Sequence, residues 1–215
     1  MTYEHFIKNN FDENSYFLGL FQNVKYFITI EQMLKNDFTL KTPLNPKNQN
    51  IKDYILSTKN SCFLHIRRGD YLNNPLFIDL CQTNYYNKSL KIIKNKIEKP
   101  HIFIFSNAIQ WCKDHFLETL HPEITNAVVF EFIESNDEGD AVEEMELMRS
   151  CQNAIIANST FSWWAAFLLD NKNKIVIMPK KFFTKKIEEV DIENLIVKDW
   201  MALDFLNNMQ IPNSL

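Results

Sequence analysis

Glycine is nearly absent from this chain, with three in 215 residues. So few glycines leave no room for the glycine-rich loop that cradles phosphate in many nucleotide-binding proteins, and one of the three, Gly69, sits inside "RRGDY". Cysteine is sparse and scattered. Cys62, Cys81, Cys112 and Cys151 form no CxxC pair and sit near no histidine cluster, which counts against a disulfide framework or zinc site and suits buried reduced thiols. No apolar run approaches the ~20 residues of a membrane-spanning helix. The opening "MTYEHFIKNN" lacks the charged-then-apolar order of a signal peptide. The expected location is therefore the cytoplasm, with peripheral contact at the inner membrane as the only membrane role. An excess of positive charge is also missing. A net charge of −4 and a pI near 5.8 count against nucleic acid as a partner, which wants a basic face. No internal repeat, long low-complexity tract or Asp-X-Asp pair is present.

What remains is an ordinary globular composition, 46% hydrophobic and 23% charged, in a chain long enough for one large domain or two small ones. Residues 41–50, "KTPLNPKNQN", read as a linker. After it, short apolar runs recur: "CFLHI" (62–66), "HIFIFS" (101–106), "AVVFEF" (127–132), "NAIIA" (153–157) and "KIVIMP" (174–179). Between them lie "NYYNKSLKIIKNKIE", "AIQWCKDHFLETL", "DAVEEMELMRSC" and "TFSWWAAFLLD", with the apolar spacing of helices. Buried-type strands alternating with helices define an α/β fold with a parallel sheet. Such sheets bind ligands beyond the carboxyl ends of their strands, where helix N-termini favour phosphate.

Two polar clusters fall at such ends. "FLHIRRGDY" (63–71) closes the first strand, and three readings compete for it: an Arg-Gly-Asp adhesion tripeptide, a solvated Arg–Asp turn, or an anion site. Adhesion needs an extracellular protein, which nothing in the sequence supports. Two arginine forks could hold a diphosphate without metal. The strand pleat sends His65 and Arg67 to one face and Ile66 and Arg68 to the other, so one arginine can meet a ligand while the other braces the loop with Asp70. The second cluster is "NSTFS". Asn158, Ser159 and Thr160 can cap the helix that follows, and the same hydroxyls and free N–H groups can hold phosphate or ribose. Trp163 and Trp164 read as core. The acidic "SNDEGDAVEEMELM" complements a helix start, and "KKFFTKK" (180–186) reads as a solvated loop with a weaker claim on anionic lipid. His5, His101, His115 and His121 show no ligand spacing.

Taken together, these stretches resemble a family. His65-Ile66-Arg67-Arg68-Gly69-Asp70 fits the H-x-R-R-x-D motif of α1,2- and α1,6-fucosyltransferases, and "SCQNAIIANSTFSWWAAFL" resembles a second signature of the bacterial α1,2-fucosyltransferases, glycosyltransferase family eleven. "FLGLFQNVKYF" (17–27) and "IFSNAIQWCKDHF" are similar to two further family stretches, "GY-x-Q-x-x-x-YF" and "FS-D-D-x-x-WC", so the resemblance runs over roughly residues 16–200. It implies a GT-B-like fold with a Rossmann-like donor domain. It also implies inverting transfer of L-fucose from GDP-fucose to a galactose 2-hydroxyl on a glycan acceptor, without a required metal or other cofactor.

By the motif, Arg67 and Arg68 would hold the GDP phosphates, and His65 and Asp70 would shape that pocket. Arg67, Asp70 and His65 form the catalytic set. His65, Arg67, Arg68, Asn158, Ser159, Thr160 and Ser162 form the GDP-fucose set. The chain also departs from the pattern. The family's opening "GGLGNQMFQYA" stretch is not found, the "FS-D-D" pair is Asn107-Ala108, and an aspartate ahead of the "x-LM" helix reads as Glu144. The expected domains are a remnant of the acceptor-side domain with its linker at 1–48 and a GDP-sugar-binding domain at 49–215. A complementing N-terminal fragment is an expected partner, and the alternatives are a non-catalytic, truncated GDP-sugar binder or a fucosyltransferase-like enzyme that uses another GDP-sugar.

Overall fold

A computed structural model describes residues 3–12, 14–17, 23–134, 141–185 and 192–205. Part of the aromatic stretch (18–22), the acidic residues 135–140, Lys186 and the side chain of His5 lie outside the described residues. The described strands are β1 (Ser61–Ile66), β2 (His101–Ser106), β3 (Val129–Phe132), β4 (Asn153–Ile155), β5 (Val176–Pro179) and β6 (Met201–Leu203). The α-helices are α1 (Tyr3–Lys8), α2 (Glu31–Asp37), α3 (Pro46–Ser57), α4 (Tyr85–Lys96), α5 (Ile109–Trp111), α6 (Pro122–Thr125), α7 (Ala141–Arg149) and α8 (Thr160–Leu168). α5 runs on into a π-turn at Cys112–Phe116.

The six strands form one sheet in the order β3-β2-β1-β4-β5-β6, and every pairing is parallel. The α/β expectation holds, in a Rossmann-like sheet. Each of the five expected strands is present. The sixth, β6, was not anticipated, because three half-buried residues carry no apolar-run signal.

Parallel strands buried on both faces read as continuous apolar runs, and β1 is buried at all six positions. The pleat divides the core in two. Phe63, Phe103, Ala154 and Val176 pack with α7 and α8 through Leu147, Trp163 and Phe167. Leu64, Ile104, Ile155 and Ile177 pack on the other face with Tyr85, Leu90 and Phe116 of α4 and the π-turn. α4 shows why this works: Tyr85, Tyr86, Ser89, Leu90 and Ile93 make one buried stripe, and Lys94 and Lys96 sit where the helix dipole favours cations.

The expected linker is largely structured. Asn45 caps α3, its Oδ1 accepting the Asn48 N–H at 2.9 Å, with Pro46 at the first helical position and Leu44 buried. The 48/49 boundary therefore falls inside α3. Val24, Phe27, Leu34 and Leu40 pack against the same core as α8.

Candidate active site

The strand order places the sheet's switch point between β1 and β4. From there the chain runs outward to β3 on one side and to β6 on the other. Crevices at such points, beyond the carboxyl ends, are where open α/β sheets bind ligands. The two polar clusters are the residues that follow β1 and β4, so sheet topology makes neighbours of motifs some ninety positions apart. Tyr71 ties them, its hydroxyl donating to the Asn158 carbonyl at 3.1 Å.

The two arginines have different situations. Arg67 is a third exposed, and its Nε and Nη2 reach the two Asp70 carboxylate oxygens at 3.0 and 3.1 Å. This side-on fork fixes the guanidinium plane and leaves Nη1 free of Asp70. Tyr71 lies beneath, its ring centroid 5.6 Å from the guanidinium carbon. Arg68 turns to the opposite face and is only 9% exposed. Its Nη1 lies 3.2 Å from Asp79 Oδ2, and its guanidinium stacks 3.6 Å from the Trp111 ring centroid. Asp79 is itself fixed, because its Oδ1 accepts the Cys81 N–H at 3.0 Å. The alternation expected from the pleat is present, but the expected brace differs: Asp70 pairs with Arg67, the more exposed arginine, and Arg68 is held by Asp79 and Trp111 instead.

His65 is 2% exposed at the end of β1. Burial, and then the charge of Arg67, lower its pKa to about 3, so the imidazole is neutral at pH 7. Its carbonyl accepts the Tyr86 hydroxyl at 2.9 Å, and its Nδ1 has no hydrogen-bond partner among the described residues. Asp70 is exposed apart from its bonds to Arg67 and Asn107.

The second cluster is mostly scaffold. Asn158 Nδ2 donates to the Ile78 and Phe182 carbonyls, both at 2.9 Å, stitching three loops at the sheet's carboxyl edge. Ser162 is fully buried, accepting the Ala157 N–H and donating to the Ser159 carbonyl, both at 3.2 Å. Ser159 precedes α8 without a side-chain cap bond, and its hydroxyl interacts with Tyr71 instead. Thr160 is the exposed member, at the first position of α8. The first turn of α8 thus carries no side-chain cap from Ser159.

Two contributors carried little sequence signal. Asn107, noted only as a departure from a pattern, holds the Arg-Gly-Asp loop from the end of β2. Glu144 on α7 has its carboxyl pKa raised by burial, an effect opposed by the charge of Arg67. Among the described residues no group of three or more His, Cys, Asp or Glu side chains is placed to hold a metal. No described helix is long and apolar enough to cross a membrane.

A doubly wound parallel sheet with helices on both faces and a part-exposed guanidinium at its switch point defines an α/β protein of the Rossmann-like class. The sequence places it further: residues 2–204 match the model of Glycosyl transferase family 11, and the chain belongs to that family. It is 32% identical over 191 residues to an alpha-1,2-colitosyltransferase of Escherichia coli, covering 87% of this chain and 62% of that protein. An O-antigen biosynthesis glycosyltransferase (WbnK) of Escherichia coli is 36% identical over 135 residues, 61% of this chain and 42% of that protein. Galactoside alpha-(1,2)-fucosyltransferase 1 of Homo sapiens is 22% identical over 152 residues, 66% of this chain and 40% of that protein. The chain thus spans less than two thirds of the length of these relatives.

Proposed function

We propose that this chain carries the donor site of an inverting α1,2-fucosyltransferase. The enzyme would move L-fucose from GDP-fucose to a galactose 2-hydroxyl of a bacterial surface glycan. The observation that carries the reading is Arg67: a partly exposed guanidinium at the switch point, held flat by Asp70, its remaining nitrogen making no hydrogen bond among the described residues. An arginine fork suits a diphosphate, and the N-terminus of α8 adds N–H donors and a partial positive charge. Arg68 serves by fixing the loop. His65 supports the same pocket, since a buried nitrogen without a partner is the kind of group a bound ligand completes.

In the transfer, the acceptor oxygen bonds to the anomeric carbon as the bond from that carbon to the β-phosphate oxygen breaks. The electron pair leaves with GDP. Negative charge grows on the diphosphate in the transition state, so fixed cations beside it bind that state more tightly than the ground state. In this reading Arg67 and the α8 N-terminus perform that neutralisation, and no metal is invoked. The acceptor proton needs a base. Asp70 is committed to Arg67, whereas Glu144 is a carboxylate made more basic by burial, which favours Glu144 for that role.

The remaining length of the relatives supports an acceptor-side partner polypeptide, in the same or a separate chain. Four buried free cysteines suit the reducing cytoplasm, where we place the enzyme. The relative named as a colitosyltransferase supports a second reading, in which the donor is another GDP-activated deoxysugar.

Calorimetric titration tests the core. Wild type is expected to bind GDP, and Arg67→Ala to weaken it about 10- to 100-fold, the worth of one or two charge-assisted hydrogen bonds. Equal affinity in the two proteins would remove Arg67 from the diphosphate site. Product formation on N-acetyllactosamine from GDP-fucose then separates an enzyme from a non-catalytic binder.

A further inference from the structure

Asn107 lies one residue beyond β2 and reaches across to the loop after β1. Its Oδ1 accepts the Arg68 N–H at 2.9 Å, and its Nδ2 donates to Asp70 Oδ1 at 3.3 Å. Gly69, at φ +41°, closes against the same amide: a Cβ there would lie 2.6 Å from Asn107 Nδ2. Asp70 in turn grips Arg67 through two contacts at 3.0 and 3.1 Å. The aim of the Arg67 guanidinium is therefore set by a two-link chain that begins on a different strand.

We propose that Asn107 is a positioning residue of the anion site: its uncharged amide clamps Asp70 and, through Asp70, orients Arg67. This rests on the reading of Arg67 as the diphosphate contact. The neutrality of the amide is part of the argument. The pattern that this segment resembles has an aspartate at this position. A carboxylate there can still accept the Arg68 N–H, but it has nothing to donate to Asp70. It also sets a second negative charge beside the first, competing for Arg67 and repelling a diphosphate. At acid pH, one proton shared between the two carboxyls restores a donor. The other charged or titratable groups facing this cluster are Arg67, Tyr71 beneath its guanidinium, Glu144 on α7 and His65 at the end of β1. They are present in every protein compared, so their own pH responses cancel between variant and wild type.

The chain has only three arginines, Arg67, Arg68 and Arg149, so their Nε–H signals are assignable by NMR from Arg67→Lys and Arg149→Lys. Without ligand, Asn107→Ala is expected to speed Arg67 Nε–H exchange by about 10-fold over wild type at both pH 5.5 and pH 8, the loss of roughly one hydrogen bond's protection. Asn107→Asp is expected to do so at pH 8 only. The Arg149 signal and the Trp163 indole N–H, bonded to the Leu195 carbonyl at 2.7 Å, report that each variant is folded. GDP titrations should follow the same pattern, with dissociation constants raised about 5- to 10-fold wherever the exchange is fast.

An unchanged Arg67 signal in folded Asn107→Ala overturns the positioning role, whatever GDP does. Identical behaviour of Asn107→Asp at the two pH values overturns the donor-and-charge argument. A wild type that shows the protected Arg67 signal, lost in Asn107→Ala, but ignores GDP supports positioning and sinks the diphosphate reading alone.

Discussion

His65 makes folding pH-dependent by refusing a proton. Its folded pKa is about 3, against 6.5 for a free histidine, with burial the larger cause and Arg67 the smaller. Between those values the unfolded chain takes up a proton that the folded chain does not. The stability is complete above pH 6.5 and falls as the pH drops towards 3. At pH 5 the loss is on the order of 2 kcal/mol. Thermal unfolding should show a fall in Tm from pH 7 to pH 5 that is much reduced in His65→Phe. An equal fall in both proteins would assign the effect elsewhere. At this scale the pleat made part of the site legible, since alternation alone separates Arg67 from Arg68. What it concealed was the destination of Arg68. Asp79 and Trp111 belong to other segments, and no local pattern announces a contact across them.

Helix α8 was legible as a helix from its apolar spacing, but its ending was not. Helix C-termini leave carbonyls without partners, commonly answered by a glycine that this chain does not have there. The answer comes from Lys174, whose Nζ donates to the carbonyls of Ala166, Phe167 and Leu169 at 2.9, 2.9 and 3.0 Å. Burial lowers its pKa to about 8, with the charge of Lys35 adding to the effect. Lys174→Met keeps much of the stem and strands the carbonyls, at a cost of about 1–3 kcal/mol. The urea midpoint should fall with the slope unchanged, and an unchanged midpoint would show that solvent serves those carbonyls as well. β6 and the π-turn at Cys112–Phe116 escaped notice for a different reason: three residues make no run, and a π-turn shares the apolar spacing of the helix around it.

Across the whole molecule, periodicity indicated a parallel sheet but not its strand order, which depends on pairings between distant segments. The order brings the two motifs together, so the location of the site was legible as an edge and not as a crevice. The segment ahead of β1 also belongs to the body. Phe27 packs on Trp163, Trp164 and Phe167 with ring centroids 5.0–5.7 Å apart. Glu143 on α7 accepts from the Asn45 backbone at 3.3 Å and from the Asn45 and Asn48 side chains at 2.7 and 2.5 Å. Glu143→Ala removes the shared acceptor and should cost about 1–3 kcal/mol. Unfolding followed by far-UV circular dichroism and by tryptophan fluorescence should remain coincident in that variant. Separate transitions would mean that residues 23–57 form an independent unit.

The four buried thiols have a use of their own. Cys62 sits on β1, Cys112 in the π-turn, Cys81 beneath the Arg68–Asp79 pair and Cys151 just beyond α7, each at most 9% exposed. An alkylating reagent reaches a buried thiol only when its surroundings open, so each cysteine is a clock for a different part of the molecule. Mass spectrometry of a timed labelling series should find Cys81 modified before Cys62, because loops open ahead of the central strand. GDP should slow Cys81 if ligand binding tightens the loop above it.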